Sequence, residues 1–214
     1  CDYETAAAAF AEGADHVTHL YNAMTPYSHR APGLFGAAAD LCGAATGLSG
    51  AAADFYGAVT DLSGSVNHVS GSKRVYMELI CDGIHLHPAA VRTAFRLFGE
   101  KQMILVSDTM RAAGMPDGAY TLGGLPVYVK GHEAALSDGT LAGSVTNLMD
   151  CMREAVRMGI SLETAVRCAS YQPALSIGVE DRCGVLAEGR AADLVWLGRE
   201  KLDVKAVFID GVTN

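Results

Sequence analysis

The chain has 214 residues, half of them hydrophobic, with 16 Lys and Arg against 24 Asp and Glu for a formal charge of −8. That composition is ordinary for a soluble globular protein, and the acidic balance argues against a nucleic-acid partner held through phosphates. No apolar stretch reaches the roughly 20 residues of a membrane-spanning helix, so no membrane role is expected. The six cysteines contain no C-x-x-C pair or disulfide framework, and the expectation is a cytoplasmic protein with reduced thiols.

In chain order, Asp2 is a plausible N-cap with Glu4 in the first turn. Residues 6–11 then form an alanine-rich helix that stops at Gly13. Residues 16–20 read as a strand and 22–33 as a loop. The next apolar run, 75–80, is a strand closed by Gly83 and His85, and Pro88 starts a helix through Phe98 with Gly99 as its stop. Residues 103–106 are a third buried strand ending at Ser107 and Asp108. Strands alternating with helices at this spacing indicate parallel βα units.

The pattern then changes. Residues 120–136 alternate and turn at Gly123, Gly124 and Gly131, predicting a hairpin excursion. Val145, Leu148, Met149, Met152 and Val156 recur at helical spacing, capped by Ser144 and stopped by Gly159, and a second helix over 162–170 follows Ser161. Residues 184–197 and 206–212 read as antiparallel strands with turns at Glu188-Gly189 and Asp210-Gly211. Residues 36–49 (GAAADLCGAATGLS) are followed at once by 50–63 (GAAADFYGAVTDLS), alike at 10 of 14 positions. Two copies are too few for a repeat fold, so residues 36–72 are expected to be a duplicated Gly/Ala-rich insertion in a surface connection. A phosphate-cradling loop is excluded there because neither glycine-rich phosphate motif is present.

Three runs carry chemistry: His19 to Met24, Cys81 to His85, and Leu105 to Thr109. Each puts polar side chains just after an apolar strand, where parallel barrels carry their catalytic groups. Taken alone, each residue has a plainer reading. Asp108 is then a turn cap, His19 a satisfied buried histidine, and Arg30 a solvated loop charge. His16 is structural, His87 belongs to the start of a helix, and His29 and His132 are surface residues. Met149, Met152 and Met158 are core.

Taken together, Thr18-His19-Leu20-Tyr21-Asn22-Ala23-Met24, Arg30-Ala31-Pro32-Gly33, Cys81-Asp82-Gly83-Ile84-His85, Val106-Ser107-Asp108-Thr109 and Leu141-Ala142-Gly143-Ser144 resemble the N-acetylglucosamine-6-phosphate deacetylases. These belong to the metal-dependent amidohydrolases with (β/α)₈ barrels. The resemblance covers nearly the whole chain apart from the duplicated segment, and it implies a partial barrel of about strands six to eight over residues 1–180. Residues 181–214 would add strands of the small C-terminal β-sandwich.

By that resemblance, His19 is a ligand of a divalent metal ion, zinc or iron, and Asp108 is the general acid/base. Asn22, Ala23 and Arg30 meet the sugar phosphate, with Arg30 reaching into a neighbouring subunit and implying a homodimer. Asp82, Gly83, Ile84 and His85 line the sugar, and Leu141, Ala142, Gly143 and Ser144 close over it through backbone groups. The implied partner is a phosphorylated amino sugar, converted to acetate and glucosamine 6-phosphate.

A complete barrel takes about 250 residues, and the family's glutamate ligand and second histidine ligand have no counterpart here. The chain opens on Cys1 at a helix cap, so the expectation is a piece of a longer protein that holds metal weakly or not at all by itself. A complementing upstream fragment, a non-catalytic remnant, or another amidohydrolase such as a cyclic-imide hydrolase or deaminase are the alternatives.

Overall fold

The computed structural model describes residues 1–45 and 74–213. Its first element, α1 (Tyr3–Glu12), is defined at both ends by its sequence. The Asp2 carboxylate accepts the Thr5 N–H, and Gly13 in the left-handed region (φ 118°) donates its N–H to the Ala9 and Phe10 carbonyls. A short strand, β1 (His16–Val17), follows, then α2 (Gly33–Ala45), β2 (Tyr76–Ile80), α3 (Pro88–Phe98), a 3₁₀ turn over Glu100–Gln102 and β3 (Met103–Val106). The three strands form a parallel sheet in the order β1-β2-β3, with Val17 opposite Met77 and Ile80 opposite Val106.

The residue types explain this sheet. Val75, Met77, Leu79 and Cys81 alternate along β2 onto one face, where they join Val17, Met103 and Leu105 and meet Phe10, Val91, Phe98 and Ala155 from the helices. The intervening Tyr76, Ile80 and Ile104 are buried as well. Strands apolar on both faces are what a parallel sheet requires. Helix α3 begins with Pro88 at its first turn, where a missing N–H costs nothing, while His87 Nδ1 accepts the Ala89 N–H at 3.1 Å.

Beyond β3 the chain makes an antiparallel meander of β4 (Gly118–Leu122), β5 (Leu125–Lys130) and β6 (Glu133–Ala135), closed over a small core of Met110, Ala112, Val127, Val129 and Ala134. Three helices follow, α4 (Leu148–Arg157), α5 (Leu162–Ala169) and α6 (Tyr171–Ser176), of which α4 and α5 add Met152, Ala155, Ala165 and Cys168 to the main core. A last antiparallel sheet joins β7 (Leu194–Leu197), β8 (Val204–Ile209) and β9 (Val212–Thr213). Arg153 of α4 fastens this sheet to the helices, its Nε and Nη2 donating to the Leu202 carbonyl at 3.0 and 2.7 Å.

Several expectations change here. The strand expected over residues 16–20 stops at Val17, because His19 and Tyr21 adopt positive φ, although the Leu20 N–H still donates to Glu78 at 2.7 Å. The segment expected as a surface insertion from residue 36 begins as helix: Ala37, Ala38 and Cys42 of α2 are in the core. The second copy, residues 50–63, lies outside the described residues. Ser144 does not cap a helix. Asn147 does, accepting the Asp150 N–H, and the helix starts at Leu148. The hairpin over 120–136 is three strands, α6 is not marked by the sequence pattern, and residues 184–193 are irregular with a turn at Glu188-Gly189, so the first strand there is β7. Among the described residues no helix is long and apolar enough to cross a membrane.

Candidate active site at the carboxyl rim of the parallel sheet

Three strands running the same way deliver their carboxyl ends to one rim. His19 stands two residues past β1, Asp82 two past β2, and Asp108 two past β3, with β2 between the outer pair. Two of the three leave the strand through strained backbone, His19 at φ 35° and Asp108 at φ 48°. A non-glycine residue held there costs of order 1–3 kcal/mol, and such strain clusters where side-chain direction matters.

The most fully built element of the rim is Asp82 with His85. Asp82 Oδ1 accepts the N–H of Ile84 and of His85, both at 2.9 Å, and Oδ2 lies 2.7 Å from His85 Nδ1. Both side chains are nearly enclosed, at 2% and 6% exposure. Burial by itself raises the Asp82 pKa, but the hydrogen bonds from the His85 ring and from the His85 and Ile84 amides outweigh it, so the carboxyl is held below its ordinary 3.8. An ionised carboxylate only accepts, so His85 Nδ1 carries the hydrogen toward Asp82 and Nε2 is left for another partner. Gly83 makes the turn possible at φ 82° and lies under Glu154 of α4, which in turn pairs with Arg157. No local sequence pattern marks Glu154, which lies 71 positions beyond Gly83 in the chain.

Asp108 is exposed at the rim, and its backbone is paired with the loop over residues 141–144. The Ser144 N–H donates to the Asp108 carbonyl at 2.9 Å and the Met110 N–H to the Ser144 carbonyl at 2.8 Å. Ser144 is buried, with its Oγ accepting the Thr146 N–H at 3.0 Å, and Thr109 Oγ1 donates to the Thr146 carbonyl at 2.8 Å. Gly143 and Ser144 are therefore brought beside Asp108, although the chain separates them by more than 30 residues, while Leu141 and Ala142 pair with Ala135 and Ala134 of β6. At Gly143, with φ 69°, an added Cβ would lie 3.4 Å from Met110 Cβ and 3.6 Å from the Asp108 carbonyl oxygen.

Past β1 the backbone alternates. His19, Tyr21 and Ala23 take positive φ (35°, 78°, 51°) and Leu20 and Asn22 do not. Alternation of this kind turns successive amides toward one side and makes anion-binding concavities. The Asn22 side chain is engaged locally, its Nδ2 donating to the His19 and Leu20 carbonyls at 3.3 and 3.4 Å. Arg30 is set apart from all of this. It sits at the tip of a tight turn in which Ser28 and Ala31 exchange backbone hydrogen bonds at 3.1 Å, and it is exposed.

His19 Nδ1 is buried without a hydrogen-bond partner. An orphaned imidazole nitrogen fits a metal ligand, and the Asp108 carboxylate offers a second donor of suitable type. A catalytic zinc normally takes three protein ligands, and no group of three or more His, Cys, Asp or Glu among the described residues could hold a metal. Cysteine chemistry is disfavoured nearby. Cys81, beside Asp82, is buried and its thiol pKa is pushed far up, and burial raises Cys151 to about 12.

Comparison with known proteins agrees with this architecture. Residues 2–213 match the Amidohydrolase family, and the chain belongs to that family of hydrolases. Among curated relatives, N-acetylglucosamine-6-phosphate deacetylase of Bacillus subtilis is 38% identical over 184 residues, covering 86% of this chain and 39% of that protein. A shorter Escherichia coli protein, provisionally assigned as an N-acetylgalactosamine-6-phosphate deacetylase, is 34% identical, with 90% of this chain and 96% of that protein covered. The fold superposes on an N-acetyl-D-glucosamine-6-phosphate deacetylase variant of Mycobacterium smegmatis, solved with N-acetyl-D-glucosamine-6-phosphate, at TM-score 0.80 and 32% identity. That match covers all of this chain and 49% of the other. This chain thus spans less than half of the Bacillus subtilis relative and about half of the solved structure.

Proposed function

We propose that the chain carries the proton-transfer and substrate-positioning rim of a metal-dependent deacetylase acting on N-acetylglucosamine 6-phosphate. In this reading β1, β2 and β3 are barrel strands six to eight, residues 1–180 are barrel, and residues 181–214 are strands of the small β-sandwich. The observation that carries it is the common rim: His19, the buried Asp82–His85 pair and Asp108 each follow a parallel strand by the same two residues or stand within that turn.

Each residue has a role the geometry supports. The Asp108 carboxylate takes a proton from water as the water oxygen attacks the N-acetyl carbonyl carbon. It returns that proton to the amide nitrogen as the C–N bond breaks, since an amine leaves poorly unless protonated. Acetate and glucosamine 6-phosphate result. His85 presents Nε2 to a substrate oxygen while Asp82 fixes its ring and tautomer. The Ala23 amide in the alternating segment meets the phosphate, and the loop over residues 141–144 holds the sugar through backbone groups next to Asp108. Arg30, on its exposed turn, supplies a phosphate cation to a second subunit. A divalent cation held through His19 would polarise the carbonyl and lower the pKa of water.

The Escherichia coli relative supports a second substrate, the C4 epimer N-acetylgalactosamine 6-phosphate. Acetate release at saturating divalent cation, measured with both epimers and with unphosphorylated N-acetylglucosamine, tests the reading. Asp108→Asn is expected to lower kcat by about 10²–10⁴ with little change in KM. Equal use of the unphosphorylated sugar, or an unchanged kcat in Asp108→Asn, would sink it.

A further inference from the structure

The opposite edge of the parallel sheet holds a cavity that the proposed reaction leaves unused. Arg74 lies two residues before β2 and Lys101 two before β3, so both stand at the amino ends of the strands. A strand of five residues, roughly 16 Å, separates that edge from the rim of Asp82. With Arg167 of α5 and Tyr171, Gln172 and Leu175 of α6, these two cations line a cavity of about 320 Å³.

Its charge is one-sided. Three cations and no carboxylate face it among the described residues, on a chain whose formal charge is −8. Elsewhere Arg153, Arg157 and Lys205 each pair with a neighbouring acid. Arg74, Lys101 and Arg167 pair with none among the described residues, and Glu100, next to Lys101, is turned to Thr164 Oγ1 at 2.8 Å. Three like charges around one hollow repel each other unless an anion joins them. The Arg167 guanidinium is held in place over the Tyr171 ring, 5.5 Å from its centroid, and a guanidinium so fixed suits planar recognition of phosphate oxygens.

Gln172 adds an observation independent of charge. It is 1% exposed, it lines the cavity, and its Oε1 has no hydrogen-bond partner. A buried amide oxygen without a donor costs stability that a ligand hydroxyl restores. We infer that this cavity binds a small phosphate monoester, its phosphate among Arg74, Lys101 and Arg167 and a hydroxyl at Gln172. The site is separate from the catalytic rim and stands whether or not the deacetylase reading does.

Hydrogen exchange read peptide by peptide tests this on the full chain, with glycerol 3-phosphate, inorganic phosphate and chloride at equal ionic strength. Glycerol 3-phosphate should slow exchange over residues 100–103 and 167–175. The exposed-residue double variant Lys101→Gln, Arg167→Gln should bind it at least tenfold more weakly while keeping its Tm in chloride. Inorganic phosphate should protect the same peptides more weakly, and equal protection would remove Gln172 from the assignment. Protection by chloride, protection confined to residues 19–30, or undiminished binding by the variant and by Arg167→Gln alone would each overturn it.

Discussion

Asp82 shows how one carboxylate links stability to chemistry. Its pKa is depressed in the folded state because three hydrogen bonds favour the ionised form despite burial. A group with a depressed folded pKa stabilises the fold fully above its unfolded value, near 3.8, and loses that contribution as pH falls through the folded value. Replacing it by Asn keeps an oxygen for the Ile84 and His85 amides but puts an NH₂ against His85 Nδ1. The ring must then move its hydrogen to Nε2 or lose the contact. The expectation for Asp82→Asn is therefore twofold. The gap in Tm from the unsubstituted chain should be constant above about pH 5 and narrow below about pH 4. In the proposed reading turnover should fall through kcat, because the His85 nitrogen assigned to substrate has changed from acceptor to donor. A Tm gap independent of pH down to about 2.5 would show that the carboxylate charge is not what the pair contributes.

Elements were legible where their signals are local. Helix α3 was expected from Pro88 at its start and Gly99 at its stop, and those are its bounds; β3 followed from an unbroken apolar run. What escaped detection depends on distant partners. Ser144 has the side chain of a cap, yet a parallel bridge to Thr109 claims its backbone and moves the helix start to Leu148. β1 is cut to two residues by backbone strain at His19, a signal with no residue-type signature. The pairing of the 141–144 loop with Asp108 is likewise a long-range backbone fact, and it makes Gly143 sensitive. Gly143→Ala forces a side chain into the left-handed region at φ 69°, while its Cβ would only touch Met110 Cβ and Leu122 Cδ2 at 3.4 Å. The cost should be about 1–2 kcal/mol, a fall in Tm of roughly 2–8 °C. If the loop orients Asp108, kcat falls with it. A variant with lowered Tm and unaltered kcat would reduce the loop to a structural brace.

At the scale of the molecule, the rim offers chemistry in unequal amounts. In the proposed reading, proton transfer falls to Asp108 and substrate orientation to the Asp82–His85 pair. For cation binding that reading names His19, with its orphaned Nδ1, and the exposed Asp108 carboxylate, and no group of three or more His, Cys, Asp or Glu among the described residues could hold a metal. Two donors close less than a tetrahedral site, which needs three protein ligands plus water. Metal affinity depends steeply on the number and charge of ligands, whereas the fold around β1–β3 rests on apolar burial that no cation supplies. The two properties should then separate. Equilibrium dialysis against equimolar zinc should leave the chain substoichiometrically loaded, with occupancy rising only in excess metal, and His19→Ala should abolish what remains. A chelator should leave the Tm unchanged, because little of the folding free energy passes through the metal. One equivalent of zinc retained through dialysis, or a Tm that falls on chelation, would mean that a third donor reaches His19 and that the rim of this chain is by itself a complete metal centre.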